Sequence, residues 1–141
     1  MELHDLSARY AAGADRRDVE LFLSAFVPDG RLRRYEPADA PEPVSDRRGL
    51  GALSEVPGLL ARYARTFHLL GQARYDVDGD RAEGEVYCLA HHLTDDDPPV
   101  VHVMHIRYLD TYRCLDGRWG IEDRRVLVDW TERRTIGEVT R

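Results

Sequence analysis

The sequence predicts an α+β fold, with N-terminal helices packed on one face of a curved, mostly antiparallel sheet. Three observations predict it: helical apolar spacing in the first quarter, period-two alternation from residue 65 onward, and two DG-type hairpin turns among the later strands. DLSARYAAGADRRDVELFLSAF sets Leu6, Tyr10, Ala14, Val19, Leu21, Phe22 and Phe26 near helical spacing. Gly13 and the charged DRRD predict a break between two helices near Asp15, with Asp18 as N-cap of the second; PDG at residues 28–30 is expected to stop that helix. RLRRYE alternates like a short strand. PADAPEPVSDRRG has three prolines and few large apolar groups, so it is expected to form a loop or flap. LGALSEVPGLLARYA follows as a helix kinked at Pro57. Four strands complete the chain. TFHLLGQARYDV runs to a DGD turn at 78–80, RAEGEVYCLAHHLT to the acidic DDDPP, VVHVMHIRYLDTYRCL to DG at 116–117, and RWGIEDRRVLVDWT precedes a polar tail.

A chain of 141 residues predicts one domain, 1–141, with a single substantial core. It holds no apolar run long enough to span a bilayer, and its acidic, polar start reads against a secretory signal, so the expected address is the cytoplasm. A net charge of −6, with basic residues scattered among acids, disfavours a nucleic-acid partner. All 20 basic residues are arginine, and asparagine is absent. Schiff-base chemistry on lysine and an asparagine oxyanion donor are therefore excluded, and acid/base work falls to His, Asp, Glu or Tyr. Cys88 and Cys114 lie in separate strands without a CxxC pattern and read as small buried residues.

Within YARTFHLLGQ, alternation places Thr66, His68, Leu70 and Gln72 on one face and Phe67, Leu69, Gly71 and Ala73 on the other. His68 is then either a satisfied core histidine or a functional one. In CLAHH the same rule turns Val86, Cys88, Ala90 and His92 toward the interior, and in EDRRVLVDW it turns Arg124 inward with Val126 and Val128. Arg124 reads either as an inward cation or as a surface partner of Glu122 or Asp123. Asp110 either faces inward or pairs with Arg113. His91, His92, His102 and His105 gather across one hairpin, but without HExxH or Cys/His spacing, and His105 has the opposite parity to His102, so no metal is expected.

The element order, with GADRRD near the start, FHLLG opening the sheet and DGRWGIEDRRVLVDW closing it, resembles the SnoaL-like branch of the nuclear transport factor 2-like superfamily over nearly the whole chain. Scytalone dehydratase, bile-acid 7α-dehydratase and hexachlorocyclohexane dehydrochlorinase belong there. The resemblance implies a cone-shaped α+β barrel around one apolar pocket. It also implies a catalytic pair of Asp15 and His68, in which the carboxylate fixes the tautomer of an imidazole that moves protons. It carries a functional role to Tyr10 through a helix break near Gly13, and to His92 on the following strand. Tyr108 stands where scytalone dehydratase has an asparagine, a departure that argues against the same substrate. Tyr10, His92, Tyr108 and Arg124 are thus the expected substrate-binding residues. The implied function is a cofactor-free dehydratase-like lyase or isomerase acting on a small apolar cyclic molecule, with a homodimer formed through the outer sheet face. The competing expectation is a non-catalytic binding or dimerising domain of the same fold.

Overall fold

A computed structural model describes residues 2–138 and 140. Helix α1 (Glu2–Arg16) buries Leu3, Leu6, Tyr10 and Ala14, a single stripe three to four residues apart. The expected break between two helices near Asp15 is found, at Arg17 and Asp18, whereas the helix passes unbroken through Gly13. The helix runs on to Arg16 and ends where Arg17 takes a left-handed φ of 54°. Gly13 serves close packing instead: a Cβ there would lie 2.5 Å from the backbone nitrogen and 2.6 Å from the Cα of Phe22 in α2 (Val19–Leu23). Gly13→Ala is therefore expected to cost about 1–3 kcal/mol, read as a lower urea midpoint; an unchanged midpoint would show that the two helices can separate freely. Asp18 caps α2 as expected, its Oδ1 accepting from the Leu21 amide at 3.1 Å.

PDG does not stop that helix. α2 ends at Leu23, and Pro28, Asp29 and Gly30 lie inside strand β1 (Phe26–Tyr35), where the register against its neighbour slips between Phe26 and Arg31. Such an irregularity tolerates a proline that has no amide hydrogen to give. The expected flap also folds in part. Ser45–Arg48 forms β2, antiparallel to β1, and Arg31 grips Asp46 through bonds of 2.9 and 2.7 Å. The segment expected as one kinked helix is instead two short turns, α3 (Leu50–Leu53) and α4 (Val56–Leu59), followed by a 3₁₀ turn at Leu60–Arg62. Pro57 is the second residue of α4, within the first turn, where its missing amide hydrogen costs nothing.

Strands β3 (Arg65–Asp78), β4 (Arg81–Leu93), β5 (Val100–Leu115) and β6 (Arg118–Thr135) form the antiparallel meander. The six-stranded sheet has the order β2-β1-β6-β5-β4-β3, and β1 runs parallel to β6, so the sheet is mixed, strongly curved and not closed. Register shifts between Leu70 and Ala73, His105 and Ile106, and Thr111 and Tyr112 add the local bends that curl it. The first of these also reverses the parity of β3. Gln72, expected inside, is exposed, while Ala73 and Tyr75 pack on the core.

Leu6, Phe22, Leu53, Val86, Ile121 and Val128 are fully buried between the helices and the concave sheet face. On the convex face Phe67, Leu69 and Trp130 stay 63%, 52% and 55% exposed. No helix among the described residues is long and apolar enough to cross a membrane.

Candidate active site

Asp15 occupies the last turn of α1, where the negative end of the helix dipole disfavours a carboxylate. Its place there is secured by three hydrogen bonds from β3. The His68 amide donates to Oδ2 at 2.8 Å, the Thr66 hydroxyl to Oδ1 at 3.0 Å, and His68 Nδ1 lies 2.6 Å from Oδ1. Burial pushes the Asp15 carboxyl up, but the hydrogen bonds and charge of His68, with the bond from Thr66, outweigh it and hold the group below its ordinary value of 3.8. An ionised Asp15 is acceptor-only, so Nδ1 of His68 carries a proton, and in the neutral form of the ring the lone pair is left on Nε2. Arg17 ties this end of α1 down, donating to the carbonyls of Leu60 and Tyr63 at 2.9 and 3.0 Å.

His68 lines a cavity of about 310 Å³ on the concave side of the sheet, together with Tyr10, His92 and Tyr108. Tyr10 reaches it from the continuous helix. Five residues turn the helix by roughly 500°, or about 140° net, so Asp15 and Tyr10 approach His68 from different sides. The Tyr10 ring stands edge-on to the imidazole, with centroids 6.5 Å apart, and edge-on to Tyr108 at 5.5 Å. Burial raises the Tyr10 phenol to about 12 and lifts Tyr108 well above its ordinary value, so both hydroxyls are protonated donors near neutral pH.

β4 presents Val86, Cys88, Ala90 and His92 inward as alternation requires, all of them buried. His92 faces His68 with centroids 6.1 Å apart, and its Nδ1 lies 3.3 Å from the His102 carbonyl. Burial first, then the charges of His68, His102 and Arg62, lower it to about 4 despite that hydrogen bond. His92 is therefore a neutral imidazole at pH 7. The unfolded chain takes up this proton near 6.5 and the folded chain only near 4. Stability is thus lost as pH falls through that window, by roughly 1.4 kcal/mol per unit. His92→Gln is expected to flatten the decline of the urea midpoint between these pH values. Parallel slopes in the two proteins would count against it.

Arg124 faces inward, but it lies behind the cavity wall rather than in it. Its side chain is 0% exposed. It gives Nε and Nη2 to Asp110 at 2.9 and 2.8 Å and Nη2 to Ser7 at 2.7 Å. The guanidinium also stacks 4.5 Å from the Tyr10 ring centroid and 4.0 Å from that of Tyr108. The expectation of direct substrate contact is corrected accordingly: the guanidinium is buried, paired in bidentate fashion with Asp110 and packed against the rings of Tyr10 and Tyr108. Asp110 points inward, while Arg113 pairs outside with Asp29 and Glu122.

His92 and His102 are cross-strand neighbours, whereas His105 stacks on Trp130 on the opposite face. No group of three or more His, Cys, Asp or Glu among the described residues could hold a metal ion. Cys88 is buried and its thiol is raised to about 11, but Cys114 is only half-buried, against expectation. Sequence reasoning missed Arg34, Arg47 and Arg62, which also line the cavity. Their segments are remote in sequence, and only the folding of β2 and the 3₁₀ turn onto the cone brings them together.

A family profile described as a SnoaL-like domain matches residues 1–125. A search of curated proteins finds no match. Among solved structures, a function-unknown protein from Mycobacterium tuberculosis is 29% identical, with TM-score 0.74, covering 89% of this chain and 68% of its own. A scytalone dehydratase-like protein from Novosphingobium aromaticivorans is 20% identical, with TM-score 0.78, covering 99% and 93%. Hexachlorocyclohexane dehydrochlorinase LinA type 3 from Novosphingobium barchaimii is 15% identical, with TM-score 0.79, covering 98% and 90%.

Proposed function

The chain belongs to the SnoaL-like domain family, and on that premise we propose that it is a cofactor-independent lyase or isomerase acting on a small, largely apolar cyclic substrate. The observation that carries this reading is the 2.6 Å Asp15–His68 contact on the wall of a cavity large enough for a ring system. His68 Nε2 takes the proton from a carbon next to a carbonyl, and the electron pair moves onto the carbonyl oxygen. The Tyr10 and Tyr108 hydroxyls donate to that oxyanion. The enolate then collapses, the bond to a β-hydroxyl breaks, and the imidazolium returns its proton to the departing oxygen as water. Asp15 holds the tautomer throughout. His92, neutral, offers its free ring nitrogen to a substrate hydroxyl or a water. Arg124 acts as a positioning residue that braces both tyrosine rings. No step calls for a metal or an organic cofactor.

A second copy of the chain is the expected partner, through the convex face where Phe67, Leu69 and Trp130 remain uncovered. The proposed unit is one domain over 1–141, cytoplasmic and without a nucleic-acid or membrane partner. The direct test is dehydration of a β-hydroxytetralone to a fluorescent naphthol, alongside deuterium exchange at its α-carbon. Catalysed exchange or loss of water is expected. Tight binding with neither reaction would favour the non-catalytic binding domain.

A further inference from the structure

Three arginines line the cavity, Arg34 from β1, Arg47 from β2 and Arg62 from the 3₁₀ turn, and among the described residues no carboxylate lines it with them. This occurs in a chain whose net charge is −6. Arg47 is held in place, donating to Glu55 at 2.6 Å and to the Ala52 carbonyl at 3.3 Å. Arg62 lies over the Tyr63 ring, 5.0 Å from its centroid. Arg34 differs from both. Its Nε is shielded from solvent and has no hydrogen-bond partner among the described residues. A guanidinium whose donor is dehydrated and unpaired carries a cost that an incoming acceptor removes. Low-dielectric walls also focus the field of like charges into the space they enclose.

We propose that the substrate carries a carboxylate, received at the cavity rim by Arg34 with Arg47 and Arg62 beside it. A guanidinium fork matches a carboxylate in two parallel bonds, and the apolar floor formed by Leu32, Ala90, Ile106 and Val126 takes the ring. Of the three, Arg62 also adds to the effect of burial that keeps His92 neutral. This assignment rests on the cavity being the substrate site, and it does not depend on the proton chemistry of His68.

The test compares binding of a naphthoate, the neutral naphthamide of the same shape, and a naphthyl phosphate, by calorimetry at low and moderate salt. Naphthoate is expected to bind about tenfold or more tightly than naphthamide, with the preference shrinking as salt rises. Arg34→Gln is expected to remove most of that preference while naphthamide affinity stays within a few-fold. Arg62 is exposed on a turn, so Arg62→Gln, which leaves the core untouched, is expected to reduce the preference a few-fold even if Arg34→Gln folds poorly. Equal affinities for naphthoate and naphthamide, or no binding of either at millimolar concentration, would overturn the proposal. Tighter binding of the phosphate than of the carboxylate would overturn it in favour of a phosphoester. In the wild-type protein, absence of the preference with β-hydroxytetralone turnover intact condemns only the carboxylate assignment. Preference without turnover condemns only the lyase reading.

Discussion

Arg124→Met is expected to lower the free energy of unfolding by about 3–5 kcal/mol, because it leaves the Asp110 carboxylate buried without its counter-charge. Asp110 is 4% exposed and would retain only the Tyr112 hydroxyl, 2.5 Å away, to balance its charge. Burial works against the charge of Arg124, but the attraction and hydrogen bonds of Asp110 more than offset it and hold the guanidinium above its ordinary value. The two groups therefore stand or fall together. The loss extends to the cavity, since Tyr10 and Tyr108, whose ring centroids are 5.5 Å apart, both pack against the guanidinium and would lose its cation–π support. Arg124→Lys keeps the charge but not the fork or the stacking plane, and should fall between wild type and Met. The pair Arg124→Met with Asp110→Leu is expected to regain most of the stability by removing both charges at once. Urea midpoints of the four proteins decide the matter. A double variant no better than Arg124→Met would mean that packing around Tyr10 and Tyr108, and not the ion pair, sets the cost.

Strand alternation makes much of this architecture legible. The inward set Val86, Cys88, Ala90 and His92 follows from period two alone, as does the inward turn of Arg124 with Val126 and Val128, because β4 carries no extra residue and those of β6, Glu122 and Asp129, fall on either side of Arg124–Val128. β3 fails the same rule beyond Leu70, since a bulge at Gly71 and Gln72 changes the parity and the sequence marks it only with a glycine. The parallel pairing of β1 with β6 joins residues about 90 apart, which no local pattern encodes. The rim arginines were invisible for the same reason: Arg34, Arg47 and Arg62 become neighbours of one cavity only after β2 and the 3₁₀ turn fold onto it. The juxtaposition of Asp15 and His68 came from the resemblance to a family. In the sequence itself Asp15 is one charge in DRRD, and nothing nearby points to a partner in β3.

Asp15→Asn is expected to reduce turnover of an accepted substrate by roughly two to four orders of magnitude, close to the effect of His68→Ala. Asp15 accepts from both the His68 amide and His68 Nδ1, on separate oxygens. Asparagine has only one oxygen to offer. If that oxygen keeps the backbone bond, the amide hydrogens face Nδ1, which must then be the acceptor. The ring proton moves to Nε2, and the base is lost though the ring has not moved. If the amide flips, Nδ1–H keeps its partner but the His68 backbone amide meets a donor, at a cost of about 1–3 kcal/mol. Stability and activity therefore separate the roles. A catalytic pair predicts a large fall in kcat with the fold retained, whereas a structural pair predicts a lower melting temperature and unchanged kcat. The pH dependence adds a further check. Because the Asp15 carboxyl is held below 3.8 in the fold, its stabilisation is fully present above the unfolded carboxyl range. It is lost only as pH falls through the lower folded value. The wild-type excess in stability over Asp15→Asn should therefore be constant near neutrality and shrink only in strong acid. An excess that shrank already between pH 7 and 5 would place the titrating group elsewhere.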